Sequence, residues 1–210
     1  MLIIGLTGSI GMGKSAAAAI FRGEGLPVCD ADAEVHKLYA VGGAAVAPIE
    51  AAFPGTTSTV AGVDRQALAA LLLADPAGFK RLEAIVHPLV RAAEQAFLRR
   101  AFSDGHWAAV LEIPLLFEGG GETAVDATVV VSAPAEMQRA RVMARPGMTT
   151  AKLDQILARQ WPDAKKRAAA TFVVDTGGTL ASTAEQIGVA LEALRNGSKP
   201  AVAYAKFWRA

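Results

Sequence analysis

The stretch Gly8-Ser9-Ile10-Gly11-Met12-Gly13-Lys14-Ser15 matches the pattern G-x-x-x-x-G-K-[ST] at every fixed position. The apolar run 2–6 before it predicts a buried strand, and the alanine-rich segment after it predicts a helix that begins at Lys14. A loop in this context is typical of a phosphate-binding loop (P-loop), because the unpaired N–H groups at a helix N-terminus attract anions. The alternative is an ordinary tight turn that happens to contain these residues.

The residues of this loop have distinct expected roles. Glycines let the backbone wrap phosphates, Lys14 can reach the β- and γ-phosphates of ATP, and the hydroxyl of Ser15 can bind Mg²⁺. The predicted nucleotide contacts from this segment are Gly8, Gly11, Met12, Gly13, Lys14, Ser15 and Ala16.

The rest of the chain alternates short apolar runs with long alanine-rich segments, which predicts an α/β fold with a parallel sheet covered by helices. The predicted strands are 2–6, 27–30, 108–113, 127–131 and 172–174. The predicted helices are 14–24, 32–39, 64–74, 77–102, 134–144, 150–160 and 180–194. Segments 42–43, 54–62 and 119–121 are predicted loops, and the tail 201–210 is expected to pack against the body or fray. Because about seventy mostly helical residues separate the second strand from the third, we expect an inserted helical subdomain.

The composition excludes several classes of protein. Lys plus Arg (21) nearly balance Asp plus Glu (20), so the formal charge of +1 predicts no nucleic-acid partner and no membrane partner. The apolar runs are shorter than the roughly 20 residues of a membrane-spanning helix. The single cysteine, Cys29, precludes an internal disulfide and suits the cytoplasm.

Two acids, Asp30 and Asp32, follow the second predicted strand at the edge of the sheet where open α/β folds bind ligands. In a phosphotransferase, an acid at this edge can orient an attacking hydroxyl and accept its proton. Either acid could instead cap the helix that follows, since Asp favours that position. We assign the catalytic role to Asp32 and leave the division of roles open.

Several further segments, together with the loop and the Asp30-Ala31-Asp32 motif, resemble the dephospho-coenzyme A kinase family. They are 85–90 (IVHPLV), 113–118 (IPLLFE), 138–141 (QRAR) with 144–145 (AR), 155–160 (QILARQ) and 172–178 (FVVDTGG). The resemblance covers nearly the whole chain. Two departures are Ala16, where the family usually has Thr, and Pro146 after Arg145, where it often has Asp.

The resemblance implies a three-layer α/β/α P-loop NTPase fold with a five-stranded parallel sheet, and one kinase domain over 1–210. Its core would be 1–31, 104–133 and 168–196, with a helical acceptor subdomain over 32–103 and a helical lid over 134–167. It further implies that ATP, with Mg²⁺, phosphorylates the ribose 3′-hydroxyl of dephospho-coenzyme A in the last step of coenzyme A synthesis. A monomer or weak homo-oligomer is expected.

The resemblance also assigns residues to the chemistry. Lys14, Asp32 and Arg141 take catalytic positions, and Arg141 and Arg145 take those of lid arginines that contact the nucleotide. On the predicted helix 134–144 the two arginines are expected to lie four residues apart on one face, where their guanidinium groups can stabilise the charge that builds on the phosphoryl oxygens. A solvated helix face is the alternative for both.

The acceptor contacts assigned in this way are Asp32, His87, Leu115 and Glu118. His87 could instead be a core residue at a helix kink before Pro88, and Glu118 could cap the glycine-rich loop that follows it.

Two other functions share the loop. Another small-molecule or nucleoside kinase would prefer a different acceptor. A P-loop regulator would show no acceptor-dependent turnover, although the sequence contains no N-K-x-D guanine-recognition motif.

Overall fold

The structure is a computed structural model of the chain and describes residues 1–75 and 77–197. The prediction for the tail 201–210 lies outside these residues.

Five parallel strands form the main sheet in the order β2-β5-β1-β6-β7. They are β1 (Leu2–Thr7), β2 (Val28–Asp30), β5 (Ala108–Glu112), β6 (Ala127–Ser132) and β7 (Phe172–Asp175). Strand β1 pairs in parallel with both β5 and β6, and β6 pairs in parallel with β7. Every predicted strand lies within one residue of an observed one, and the predicted fold class is confirmed.

The helices are α1 (Lys14–Gly23), α2 (Ala31–Tyr39), α3 (Val46–Ala52), α4 (Arg65–Ala74), α5 (Ala77–Ser103), α6 (Ala135–Met143), α7 (Thr150–Leu157), α8 (Asp163–Ala169) and α9 (Leu180–Gly197). A 3-10 turn covers Gly121–Ala124. All seven predicted helices are present, whereas α3 and α8 were not predicted. In the part of the chain that the structure describes, no helix has the length and apolar character needed to cross a membrane.

Both faces of the main sheet are covered. Alternate residues of β1 (Leu2, Ile4 and Leu6) belong to a buried apolar cluster that also contains residues of α1 and α9. Ile3, on the other face, is also fully buried, and a Cβ atom added to Gly5 on that face would lie 2.9 Å from Leu116. Strands buried on both faces explain why the sequence reads as short, continuous apolar runs.

The chain forms two compact units. Among the described residues, one contains 1–29 and 100–197, with most of the main sheet, and the other contains 30–99. The second unit has its own core, in which Ile49, Phe53, Leu68 and Leu72 are buried.

The prediction that 54–62 is a loop is wrong, because β3 (Thr57–Ser58) pairs antiparallel with β4 (Gly62–Val63) to form a short hairpin. The carboxylate of Glu50 supports its start by accepting hydrogen bonds from the Gly55 N–H (2.8 Å) and from the Thr57 N–H and hydroxyl (3.1 and 2.7 Å). This support comes from α3, which the sequence analysis missed.

Glu94 is a buried carboxyl group on α5, with 8% of its surface exposed. Burial is the main cause that raises its pKa to about 7, against a usual value of 4.5; Arg91 lowers the pKa and Glu34 raises it. Because the folded state binds this proton more tightly than the unfolded state, Glu94 costs stability as the pH rises from 4.5 to 7, and the cost persists above pH 7.

We therefore expect Glu94→Gln to stabilise the protein at high pH. The free energy of unfolding should increase by up to about 3 kcal/mol at pH 8 and by less than about 1 kcal/mol at pH 5. Urea unfolding at the two pH values measures the difference, with Glu83→Gln, an exposed change on the same helix, as the control. A gain independent of pH would contradict the assignment.

Candidate active site

The P-loop connects β1 to α1, as predicted. Gly11 (φ 75°) and Gly13 (φ 86°) both adopt left-handed backbone conformations, which glycine enters without steric cost. Gly13 is also the N-cap residue of α1 and has no side chain to satisfy the helix N–H groups. The loop therefore leaves the N-terminus of α1 open to an anion.

The backbone N–H groups of residues 10–13 of the loop differ in whether they have an acceptor. The Met12 N–H donates to the Ser9 carbonyl (3.1 Å) and the Ile10 N–H to the side chain of Gln160 (3.1 Å). The N–H groups of Gly11 and Gly13 donate to no acceptor within the described ranges 1–75 and 77–197. These two amides can bind phosphate oxygens without breaking an existing hydrogen bond.

Lys14, Ser15 and Ala16 form the first turn of α1. The ammonium of Lys14 donates to the Gly8 carbonyl (3.1 Å), so it lies across the loop, and Ser15 is exposed. Within the described residues, no group of three or more His, Cys, Asp or Glu side chains could hold a metal. A Mg²⁺ ion here would depend on Ser15 and on phosphate oxygens, which is a common arrangement for magnesium.

Thr176, just after β7, contacts the backbone of the loop. It is buried, and its hydroxyl lies 2.8 Å from the Met12 carbonyl and 3.1 Å from the Ser132 carbonyl. The Met12 sulfur accepts a hydrogen bond from the Ala133 N–H (3.1 Å). These contacts join the loop to the ends of β6 and β7.

Arg141 lies on α6 with its guanidinium group against the loop. It donates to the Thr176 carbonyl (2.7 Å) and makes longer contacts with the Thr176 hydroxyl (3.4 Å) and the Gly11 carbonyl (3.5 Å). The solvated-face alternative is therefore wrong for Arg141, although its contact with nucleotide stays a prediction.

The prediction that Arg141 and Arg145 lie on one helix face is wrong. Helix α6 ends at Met143 with Ala144 as its C-cap, and Arg145 lies in the following turn. Pro146 explains the difference, since proline disfavours the helical conformation in the residue before it. Arg145 is exposed, and its backbone N–H donates to the Val142 carbonyl (3.1 Å).

Glu118 is tied to α8 and the segment before it. Its carboxylate pairs with the fully buried ammonium of Lys166 (2.9 Å) and accepts a hydrogen bond from the Trp161 N–H (2.6 Å). Burial opposes ionisation, but these two contacts outweigh it and hold the pKa of Glu118 below its usual value. They favour a structural role for Glu118, whereas Leu115 in the same segment is 44% exposed.

The structure separates the roles of Asp30 and Asp32. Asp30 is the N-cap of α2, and its carboxylate accepts a hydrogen bond from the Ala33 N–H (3.0 Å). Asp32 is exposed in the first turn of α2 and forms no hydrogen bond or ion pair within the described part of the chain. Asp30 therefore caps the helix, whereas the catalytic role of Asp32 stays a prediction.

His87 is exposed on α5, immediately before Pro88, which lies inside this continuous helix. The alternative of a core histidine is therefore wrong. A contact between His87 and the acceptor stays a prediction.

Three polar side chains that hold the loop were not predicted from the sequence. Gln138, on α6, donates from its side-chain amide to the Ile10 carbonyl (2.8 Å), and Thr176 and Gln160 bind the same loop. Gln138 occupies a largely buried position of a helix. An uncharged polar side chain at such a position, and another at the end of a buried strand, are signals that could have identified them.

The fold and the loop together define a P-loop nucleotide-binding protein. The family model for dephospho-CoA kinase matches residues 2–182. A dephospho-CoA kinase of Rhodopseudomonas palustris is 57% identical over 194 residues, which are 92% of this chain and 96% of that protein. One of Mesorhizobium japonicum is 54% identical over 196 residues, with 93% and 98% covered. The crystal structure of TT1252 from Thermus thermophilus superposes with a TM-score of 0.80 at 37% identity and covers 94% of this chain and 98% of its own.

The chain belongs to the dephospho-CoA kinase family, as the resemblance of its motifs predicted.

Proposed function

We propose that this protein is a dephospho-CoA kinase, which transfers the γ-phosphoryl group of ATP to the ribose 3′-hydroxyl of dephospho-coenzyme A and releases coenzyme A and ADP, in the last step of coenzyme A synthesis. The observation that carries the proposal is the open P-loop at the start of α1 in a chain whose family match spans residues 2–182.

ATP binds through its phosphates to the loop and the first turn of α1. The Gly11 and Gly13 amides donate to phosphate oxygens, and Lys14 leaves the Gly8 carbonyl to pair with the β- and γ-phosphates. Ser15 would hold Mg²⁺, which when bound neutralises charge on the phosphate oxygens. Arg141 and Arg145 provide further positive charge for the phosphates. Arg141 is held within α6, whereas Arg145 lies after the end of that helix.

Asp32 acts as the general base. Its carboxylate accepts the proton of the 3′-hydroxyl as that oxygen bonds to the γ-phosphorus, while the bond from the γ-phosphorus to the bridging oxygen breaks and ADP leaves. The lack of any partner for Asp32 in the described structure supports this role. His87 and Leu115 remain the proposed acceptor contacts, whereas the contacts of Glu118 with Lys166 and Trp161 favour a structural role over the predicted contact with the acceptor.

The protein acts on small molecules, as a monomer or weak homo-oligomer. The cytoplasm is the expected compartment, because the single buried cysteine suits reducing conditions.

A coupled assay that follows ADP release with ATP and Mg²⁺ tests the proposal. Dephospho-coenzyme A should support turnover at a kcat/KM at least about a hundredfold above that of any nucleoside or nucleoside monophosphate, since catalysis depends on binding energy from the whole acceptor. Phosphate on the 3′-oxygen of the product, seen by ³¹P NMR, identifies the reacting hydroxyl. Preference for a nucleoside would instead identify a different kinase, and nucleotide binding without any acceptor-dependent turnover would identify a regulator.

A further inference from the structure

Three consecutive carbonyl groups of the P-loop accept hydrogen bonds from side chains outside the loop. They are those of Ile10, Gly11 and Met12, and their donors are Gln138 (2.8 Å), Arg141 (3.5 Å) and Thr176 (2.8 Å), respectively. Gln138 and Thr176 are largely buried, with 8% and 5% of their surfaces exposed.

Because of peptide geometry, a contact that fixes a carbonyl group also fixes the direction of the N–H group of the next residue. In a planar trans peptide the carbonyl of one residue and the N–H of the next point in opposite directions. The donor to the Ile10 carbonyl therefore orients the Gly11 N–H, and the donor to the Met12 carbonyl orients the Gly13 N–H. Neither of these two amides has an acceptor among the described residues.

The middle contact has a different consequence. The Gly11 carbonyl shares its peptide with the Met12 N–H, which already donates to the Ser9 carbonyl (3.1 Å). The hydrogen bond within the loop therefore already orients the peptide between Gly11 and Met12, and the long contact from Arg141 adds to it. The peptides on either side of it depend on Gln138 and Thr176 for their orientation.

We propose that Gln138 and Thr176 are positioning residues, which hold two carbonyls outward so that the Gly11 and Gly13 amides point at the nucleotide phosphates. The two side chains act through the loop backbone and need not touch the nucleotide. The inference rests on the proposed binding of ATP by this loop.

Two matched pairs of variants test the proposal. Gln138→Glu replaces the amide donor by a carboxylate that faces the Ile10 carbonyl. Gln160→Glu adds the same charge next to the same residue but keeps an oxygen to accept the Ile10 N–H (3.1 Å in the native chain). Thr176→Val removes the hydroxyl with little change in shape, and Thr176→Ser retains it.

Calorimetric titration of the full chain with Mg·ATP gives the dissociation constant of each variant. Loss of a buried hydrogen bond at Gln138→Glu and Thr176→Val should raise it about tenfold or more, whereas Gln160→Glu and Thr176→Ser should stay within about threefold of the native value. In steady-state assays the KM for ATP should rise and that for dephospho-coenzyme A should not, which a general loss of folded protein would not produce.

Equal weakening by Gln138→Glu and Gln160→Glu would assign the effect to charge and overturn the role of Gln138. Equal affinities of Thr176→Val and Thr176→Ser would overturn that of Thr176. The Gln138 and Gln160 variants test the Gly11 amide, and the Thr176 variants test the Gly13 amide. If a variant of one pair fails to fold, the other pair still tests the proposal. A native chain that binds Mg·ATP but does not phosphorylate dephospho-coenzyme A would refute the proposed function alone, whereas an active chain with native-like Gln138→Glu and Thr176→Val variants would refute this inference alone.

Discussion

Replacing Lys14 by alanine is expected to lower kcat/KM by about a thousandfold. The variant loses the ammonium group in the first turn of α1 that stabilises the negative charge on the γ-phosphate during transfer. In the structure this ammonium lies 3.1 Å from the Gly8 carbonyl, so it already lies across the phosphate-binding loop. Turnover of the purified variant with saturating dephospho-coenzyme A and varied ATP measures the effect.

Arg22→Ala is a suitable control for this variant. Arg22 is an exposed cation in the last turn of the same helix, at the end remote from the loop. We expect its activity to stay within about twofold of native, as is usual for changes at exposed sites. If Lys14→Ala were as active as Arg22→Ala, the loop would not bind the transferred phosphate.

Asp32→Asn should lower kcat by about 10²- to 10⁴-fold while leaving the dissociation constant of Mg·ATP nearly unchanged. Loss of a general base accounts for the first effect. The second follows because the proposed ATP contacts lie in and near the P-loop. Single-turnover kinetics and Mg·ATP titration of the same preparation separate the two quantities.

Asp30→Ala provides the contrast within the same motif. It removes the carboxylate that caps α2 through the Ala33 N–H, which should cost about 1 kcal/mol of unfolding free energy. Asp32→Asn should cost less, because Asp32 has no hydrogen-bond partner in the described part of the chain. Native kcat in Asp32→Asn would remove its assignment as base, whatever its stability.

The sequence predicted the sheet and the P-loop well because both depend on local signals. Each strand is a short apolar run, and β1, β5 and β6 are buried along their whole length. The glycine spacing in the loop, followed by a strong helix former, specifies the turn into α1. The family resemblance supplied the three-layer arrangement and the acceptor, which no local pattern contains.

Features that depend on distant partners or on very short segments could not be predicted from the sequence. The hairpin of β3 and β4 needs the carboxylate of Glu50 from α3, and a two-residue strand has too little sequence to show periodicity. Helix α8 begins after Pro162 with Asp163 in its first turn and ends with Lys166 and Arg167 in its last. This pattern is typical of a helix, but the seven residues of α8 are too few to show a clear helical period.

The positioning of the loop could not be predicted from spacing. Gln138 and Thr176 are 128 and 164 residues from the carbonyls they hold, so only the folded chain brings them together. Asp30 and Asp32 illustrate the same limit at short range: both fit the sequence pattern of a cap, and only the geometry decides between them.

The left-handed Gly11 lies where helix α6 crosses the loop, and a Cβ atom there would lie 2.6 Å from a methyl group of Val142 and 3.0 Å from the Gln138 carbonyl. One extra carbon here would force α6, and with it two of the three outside donors, to shift relative to the loop. A smaller residue in place of Val142 would relieve only the crowding, since the positive φ angle at position 11 would still disfavour any residue with a side chain. A laboratory search for faster or broader variants should therefore leave this crossing untouched and diversify the acceptor side instead.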